Sequence, residues 1–325
     1  MRDREKLKKL GEKVKEARKE LDKVIVGQAE VKKIVFTGIF AGGHVIIIGV
    51  PGLAKTLLVN TLSSILGLKF SRIQFTPDLM PGDITGTDII EEDPETGKRH
   101  FRFVKGPVFA NLVLADEINR APPKTQSALL EAMQEYRVTY AGKTFKLDLP
   151  FFVMATQNPI ELEGTYPLPE AQIDRFMFSI NITYPSYEEE IEVVERTTGE
   201  RIPQVKKVMS KKEILDFQRL IRRIPVSKEV IEYAVKLVNE SRPERTKFDM
   251  VKKYVRWGAS PRASQYLILG AKTLAGLSGR PTPSLTDVRS IAHYVLDHRI
   301  IVNFLGEAEG IKPENIVDFL LENVH

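Results

Sequence analysis

Residues 44–56 read HVIIIGVPGLAKT, an apolar run that breaks at Gly49 and Gly52 and enters a helical pattern at Lys55-Thr56. Val45 to Ile48 are four successive β-branched residues, as suits a strand buried on both faces of a parallel sheet. A glycine-bearing loop from such a strand into a helix aims several backbone N–H groups at one point. The helix N-terminus adds about half a positive charge there. This is the pattern of a phosphate cradle. Gly49, Val50, Pro51, Gly52, Leu53 and Ala54 form its loop, Lys55 reaches the β- and γ-phosphates, and Thr56 offers its hydroxyl to Mg²⁺. The strict pattern has glycine immediately before the lysine, where this chain has Ala54. The expectation is that Ala54 enters the helix at negative φ, where alanine is acceptable. The alternative is a plain strand-to-helix turn.

Working outward, four more apolar runs read as strands: KFSRIQF (69–75), NLVLADE (111–117), FFVMATQ (151–157) and FMFSINI (176–182). Helical patterns at 55–66 and 122–135 lie between them. Strands alternating with helices specify a three-layer α/β domain with a parallel sheet, ending near Tyr184-Pro185. Two stretches inside it, 88–103 and 137–147, read as hairpin insertions around Pro94-Glu95-Thr96-Gly97 and Ala141-Gly142-Lys143. After Pro185 the strand pattern largely stops. Segments 187–197, 210–223, 227–240, 261–277 and 284–299 carry helical periodicity, punctuated by proline and glycine, and form a second, mostly helical domain. Residues 1–23 read as a charged helix with Leu7, Leu10, Val14, Ala17 and Leu21 on one face, expected to pack lightly on the body or a neighbour.

Four further clusters carry chemistry. Asp116-Glu117 closes a buried strand, which places the pair at the same sheet edge as the cradle. Asp116 would hold Mg²⁺ and Glu117 would polarise the attacking water; a strand-end acid that merely caps a helix is the alternative. Asn119 and Arg120 follow, near the γ-phosphate or a subunit boundary. Asn158, at the tip of 151–157, could bond the γ-phosphate or simply turn the chain before Pro159. Arg175 is a candidate arginine finger for a neighbouring subunit, or an ion-pair partner of Asp174 or Glu170. In GASPRA (258–263), Ser260 caps a helix with Pro261 in its first turn, and Arg262 is placed to bring charge onto phosphates or to remain a surface residue.

Composition narrows the classes. The chain has 325 residues, 42% hydrophobic and 28% charged, enough to bury a sizeable core and long enough for two domains. No apolar run approaches a membrane span and the N-terminus lacks a signal-peptide core, so a soluble, cytoplasmic protein is expected. With no cysteine, disulfides, thiolate metal sites and a cysteine nucleophile are excluded. The net charge of +5 is spread among residues of both signs, too weak a field to argue for nucleic acid.

Together these residues resemble the MoxR family of AAA+ ATPases. The resemblance is carried by GGHVIIIGVPGLAKT, RIQFTPDLMPGDITG, GPVFANLVLADEINRAPPKTQSALLEAMQE, VMATQNPIELEGTYPLPEAQIDRF and GASPRA. It spans about residues 24–185 and again 258–300; residues 1–23 and 200–250 match less distinctively. Ala54 before Lys55 is usual in that family. The resemblance implies an AAA+ three-layer α/β/α core at 24–185 on a five-stranded parallel sheet, of the P-loop NTPase kind. A C-terminal α-helical lid domain at 186–325 follows, with residues 1–23 a separate N-terminal helix. Residues 88–103 would be the insert of the second helix and 137–147 the hairpin before the first sensor. It further implies ATP and Mg²⁺, with Gly49–Thr56 as the Walker A loop and Asp116-Glu117 as the Walker B pair. Asn158 would be the first sensor, Arg262 the second, and Arg175 or Arg120 the trans arginine. Val26, Gly27 and Gln28 would line the adenine pocket. Relatives form rings, usually hexamers, remodel client protein complexes or help metal cofactors enter them, and often work with a partner carrying a von Willebrand factor A domain. Two other readings remain at this point: a nucleic-acid motor resting on Lys98, Arg99, Arg102, Lys143 and Lys146, and a nucleotide-gated scaffold with little hydrolysis.

Overall fold

The structure is a computed structural model and describes residues 3–92, 99–160, 164–199 and 203–325. Helices α1 (Asp3–Asp22) and α2 (Ala29–Ala41) precede strand β1 (Val45–Ile48), helix α3 (Lys55–Leu66) and strand β2 (Phe70–Gln74). Short α4 (Pro81–Thr85) leads into the hairpin of β3 (Gly86–Glu92) and β4 (Arg99–Lys105). Strand β5 (Leu112–Asp116), helix α5 (Pro123–Glu135), the hairpin of β6 (Arg137–Tyr140) and β7 (Lys143–Lys146), strand β8 (Phe152–Gln157), helix α6 (Glu170–Ile173) and strand β9 (Phe178–Asn181) come next. Helices α7 (Tyr187–Thr198), α8 (Lys211–Arg222), α9 (Lys228–Glu240) and α10 (Asp249–Tyr254) lead to strand β10 (Val255–Trp257) and helices α11 (Pro261–Leu277) and α12 (Leu285–Leu296). Strand β11 (Ile301–Val302) and helices α13 (Phe304–Ala308) and α14 (Pro313–Asn323) complete the described chain.

All five expected strands join one sheet, in the order β2-β5-β8-β1-β9. The β2–β5 and β5–β8 pairs are parallel, with Gln74 opposite Asp116 and Leu112 opposite Phe152. Along β1, β5 and β8 every residue is buried except the last, Ile48, Asp116 and Gln157, which are half-buried. The buried runs hold the sheet, and their carboxyl ends open where the functional loops begin.

The chain divides into two compact units: Met1–Val45, Pro169–Ile180 and Lys212–His325 in the first, Ile46–Leu168 and Asn181–Lys211 in the second. In the first unit α11 packs on α1, α2, α9 and α12. Here the expectation for residues 1–23 needs correction. Leu7, Leu10, Val14, Ala17 and Leu21 are at most 4% exposed, so α1 is part of the core and not a lightly attached arm. Its five apolar positions bury as one stripe, each contributing roughly 1–3 kcal/mol. Helix α2 was not legible beforehand. It is buried nearly all round from Val31 to Ala41, and a helix apolar on every side has no periodic face to read.

In the second unit both hairpins form, their strands reaching from Gly86 to Lys105 and from Arg137 to Lys146. The turn expected at Pro94-Glu95-Thr96-Gly97 lies outside the described residues. The hairpins are not separate ornaments. Phe103 of β4 stacks on Phe145 of β7 at 4.3 Å and lies 5.2 Å from Tyr140 of β6, so one aromatic cluster ties the two together.

Candidate nucleotide site

The loop between β1 and α3 is shaped by close approach and by left-handed backbone. A Cβ on Gly49 would sit 2.2 Å from Cγ2 and 2.8 Å from the carbonyl oxygen of Ile182, so no larger residue fits. The Gly49 N–H donates to the Gln157 carbonyl at 3.1 Å, locking the end of β1 to β8. Gly52 lies at φ +86°. Ala54 corrects an expectation: it stands at φ +54°, ψ 22°, as the N-cap of α3, not at negative φ. Its carbonyl accepts from the Leu58 N–H at 2.9 Å, so this strained residue launches the helix. Alanine there costs about 1–2 kcal/mol, strain held by the surrounding loop.

Lys55 donates from Nζ to the Gly49 carbonyl at 2.6 Å. Burial pulls its pKa below the usual lysine value, while the charges of Asp116 and Glu117 oppose that shift. The two acids are positioned by one buried hydroxyl. Thr156 Oγ1 donates to Asp116 Oδ1 at 2.7 Å and accepts from the Glu117 N–H at 2.9 Å. Asp116 Oδ2 accepts from Arg72 Nη2 at 2.7 Å and Nε at 3.1 Å. Glu117 stands at φ +56°, and its Oε2 accepts from Gln74 Nε2 at 3.1 Å and Arg120 Nη1 at 3.0 Å. Asn158 is 6% exposed, and its Oδ1 accepts from the Ile160 N–H at 3.1 Å, so it turns the chain and also faces the site.

These groups converge. A cavity of about 420 Å³ is lined by Pro51 to Leu57, Arg72, Asp116, Glu117, Thr156 and Asn158. Two larger clefts, about 490 Å³ along α1 and α8 around Phe217 and Leu220 and about 540 Å³ beside Asp174, Trp257 and Arg299, have no such loop in their walls. Sequence reasoning missed Arg72, Gln74 and Thr156. Arg72 and Gln74 are two apart on β2 and so share a face, yet only the register Gln74↔Asp116 reveals that this face meets the acids.

The remaining expected residues belong to the first unit. Gly27 and Gln28 stand at φ 58° and 50°, and the Gln28 carbonyl accepts from the Lys32 N–H at 3.0 Å, opening α2 just after Val26. Arg262 Nη1 donates to Asp174 Oδ2 at 2.8 Å, so it is neither a free surface residue nor paired at random. Asp174 is held as well by the buried Arg299, whose Nε donates to Oδ1 at 2.8 Å. Ser260 corrects another expectation: it is the N-cap of α11 with Pro261 in the first turn, but its hydroxyl donates to Asp174 at 3.0 Å instead of capping. The ion pair considered for Arg175 does not form, because the Asp174 carboxylate serves Arg262 and Arg299. Among the described residues the Arg175 guanidinium has no ion-pair partner. Its main chain, by contrast, is clamped. Arg299 Nη2 donates to the carbonyls of Asp174 at 2.8 Å and Phe176 at 2.6 Å, and the Tyr266 hydroxyl donates to that of Arg175 at 3.3 Å.

Residues 44–178 match the family described as ATPase family associated with various cellular activities (AAA), and residues 247–319 match an AAA lid domain. "Chaperone MoxR1" of Mycobacterium tuberculosis is 46% identical over 306 residues, covering 94% of this chain and 80% of that protein. "Uncharacterized protein YeaC" of Bacillus subtilis is 40% identical over 305 residues, covering 94% of this chain and 92% of its own. A crystal structure from Cytophaga hutchinsonii, of a protein provisionally described as an ATPase, superposes with a TM-score of 0.92 at 45% identity, over 99% of this chain and 97% of that one. The match to the AAA model, the AAA lid match and the 46% identity to a MoxR chaperone over most of both chains show that the chain belongs to the MoxR family of AAA+ ATPases.

Proposed function

We propose that this chain hydrolyses ATP with Mg²⁺ in the cavity of the second unit and uses the cycle to remodel or assemble client protein complexes. The observation that carries the reading is the convergence of the Lys55 loop, Asp116, Glu117 and Asn158 on one cavity of about 420 Å³. The donor set fits the metal: Thr56 and Asp116 offer hard oxygen ligands, which Mg²⁺ takes while keeping several waters. Bound there, Mg²⁺ would neutralise charge on the β- and γ-phosphates.

The chain's own groups then have definite tasks. Lys55 leaves the Gly49 carbonyl for a phosphate oxygen, a stronger charge-assisted bond. Thr156 keeps both acids in place. Glu117 takes a proton from the attacking water, for which Arg120 and Gln74 must yield its Oε2. Asn158 offers its amide to the γ-phosphate or that water. The roles expected of Val26, Gly27, Gln28, Arg175 and Arg262 stand as part of this proposal, as do a core at 24–185 and a lid at 186–325. So do a ring of identical subunits, six by family habit, and a partner with a von Willebrand factor A domain.

The hairpins supply a client surface. Ile90 and Phe101 face each other across β3 and β4 and are 63% and 73% exposed. Such a pair suits an apolar stretch of a protein client. Of the basic hairpin residues, Arg99 and Arg102 are ion-paired to Glu92 and Glu91, Lys98 lies outside the described residues, and only Lys143 and Lys146 are left exposed on β7, too few to favour nucleic acid. Among the described residues no helix is long and apolar enough to cross a membrane, and the proposal places the protein in the cytoplasm. Phosphate release tests the reading. Release from ATP should saturate with substrate and fall to background when EDTA removes the metal. Release that persists unchanged in EDTA contradicts the role given to Mg²⁺, and no release in either condition favours the scaffold.

A further inference from the structure

Both oxygens of the Asp116 carboxylate already carry donors, and the two are loaded unequally. Oδ1 accepts from the buried Thr156 hydroxyl at 2.7 Å. Oδ2 accepts twice from one guanidinium, Arg72 Nη2 at 2.7 Å and Nε at 3.1 Å. An ionised carboxylate has about four lone-pair positions, two on each oxygen. Arg72 takes both of those on Oδ2. The guanidinium is steadied from its own strand as well, where Nη2 donates to Gln74 Oε1. The neighbouring cations are engaged elsewhere: Lys55 Nζ donates to the Gly49 carbonyl, and Arg120 Nη1 donates to Glu117 Oε2.

Geometry and exposure make this pair firm but separable. Two N–H groups converging on one oxygen form a charge-assisted contact that the point charge of a lysine does not reproduce. The Asp116 side chain is 16% exposed and that of Arg72 47%, so the acid stays in the cavity wall while the base, on edge strand β2, can swing towards solvent. Mg²⁺ takes oxygen ligands, and an acid that receives it, directly or through a bound water, must offer a lone pair. A guanidinium and a divalent cation on one oxygen also repel each other, the more so in a cavity that screens charge less than bulk water does.

We propose that Arg72 is a built-in competitor of the metal at Asp116. Guanidinium and Mg²⁺ contend for the same carboxylate oxygen, so Arg72 lowers the site's preference for ATP with its metal over ATP alone. Arg72 is a positioning residue in this role, acting through Asp116 and not on the phosphates. A site equipped in this way never leaves Asp116 bare: as the metal departs with the products, the guanidinium returns to Oδ2. That matters because a half-buried carboxylate stripped of its only cation is costly. The inference rests on the reading that Mg²⁺ binds at Asp116, and it adds which side chain sets the metal's hold.

Calorimetric titration of the full chain with a non-hydrolysable ATP analogue, once in EDTA and once in saturating Mg²⁺, tests it. The quantity read is the ratio of the two affinities, in which any direct attraction of Arg72 for the phosphates largely cancels because it enters both. Arg72→Met should raise the ratio about 10-fold, the worth of a charge-assisted contact discounted for its exposure. Arg72→Lys keeps the charge but not the paired donors, so it should raise the ratio by less, and it answers the same question if the methionine variant does not fold. Asp116→Asn should shrink the ratio, and Arg72→Met added to it should change nothing further, since no carboxylate is left to contend for. A merely structural role for Arg72 would not produce that dependence on Asp116. A ratio unchanged in the Arg72 variants means that guanidinium and metal do not compete, and a lowered one means that Arg72 seats Asp116 for the metal; both overturn the proposal and leave the Mg²⁺ reading intact. A wild-type affinity that is the same with and without Mg²⁺ removes that reading, and this inference with it.

Discussion

Replacing Glu117 by glutamine should lower ATP turnover by about 10²- to 10⁴-fold, the range that a positioned general base supplies, while ATP still binds. The variant is close to isosteric, and its side-chain oxygen can still accept from Gln74 or Arg120, which now hold Oε2 at 3.1 and 3.0 Å. The Glu117 N–H keeps its bond to Thr156, because that contact belongs to the backbone. What disappears is the carboxylate to which the proposal gives the water's proton. Steady-state phosphate release beside ATP titration separates the two effects. Turnover equal to that of the wild type would remove Glu117 from the chemistry, and loss of binding together with turnover would mean that it organises the cavity instead.

Arg175→Ala should depress hydrolysis with little change in the fold of its own subunit. Arginine fingers are worth roughly 10³–10⁵ in rate in GTPases, which sets the scale. The structural motive is a contrast within one residue. The carbonyls of Asp174, Arg175 and Phe176 are held by Arg299 and Tyr266, yet the guanidinium has no ion-pair partner among the described residues. A rigid main chain presenting an unpaired cation suits a group delivered to another protomer. Arg120, the rival, is already engaged with Glu117. Mixing Arg175→Ala with Glu117→Gln subunits should restore part of the activity, because some boundaries then join an intact Glu117 to an intact Arg175. Absence of rescue across all mixing ratios would show that Arg175 does not act across subunits.

The fold was legible where burial imposes a pattern. Nearly continuous apolar runs announced β1, β5 and β8, the more mixed runs at 69–75 and 176–182 announced β2 and β9, and strand-to-loop transitions at Ile48, Asp116 and Gln157 located the site edge. Legibility ended where position depends on register or on contacts distant in sequence. Thr156 reads as one more residue of a buried strand, and nothing local says that its hydroxyl joins both acids. Arg72 looks like a surface residue until the parallel register brings its strand beside Asp116. Ala54 was misjudged because propensity argues for negative φ, whereas the loop between Gly49 and Lys55 imposes +54°. The charge density of α1 hid how completely its apolar stripe is buried. The cluster joins Asp174 to Arg262 and Arg299, 88 and 125 residues further along the chain, and the sequence marks Arg299 in no way.

Calorimetric titration of the full chain with ATP and Mg²⁺ tests the central claim, that the Lys55 loop grips the triphosphate. One ATP should bind per chain, and Lys55→Ala should weaken that binding by about 10- to 100-fold, the worth of a charge-assisted hydrogen bond. An isotherm unaltered by the loss of Lys55, or no heat from the wild type at saturating nucleotide, would contradict the account.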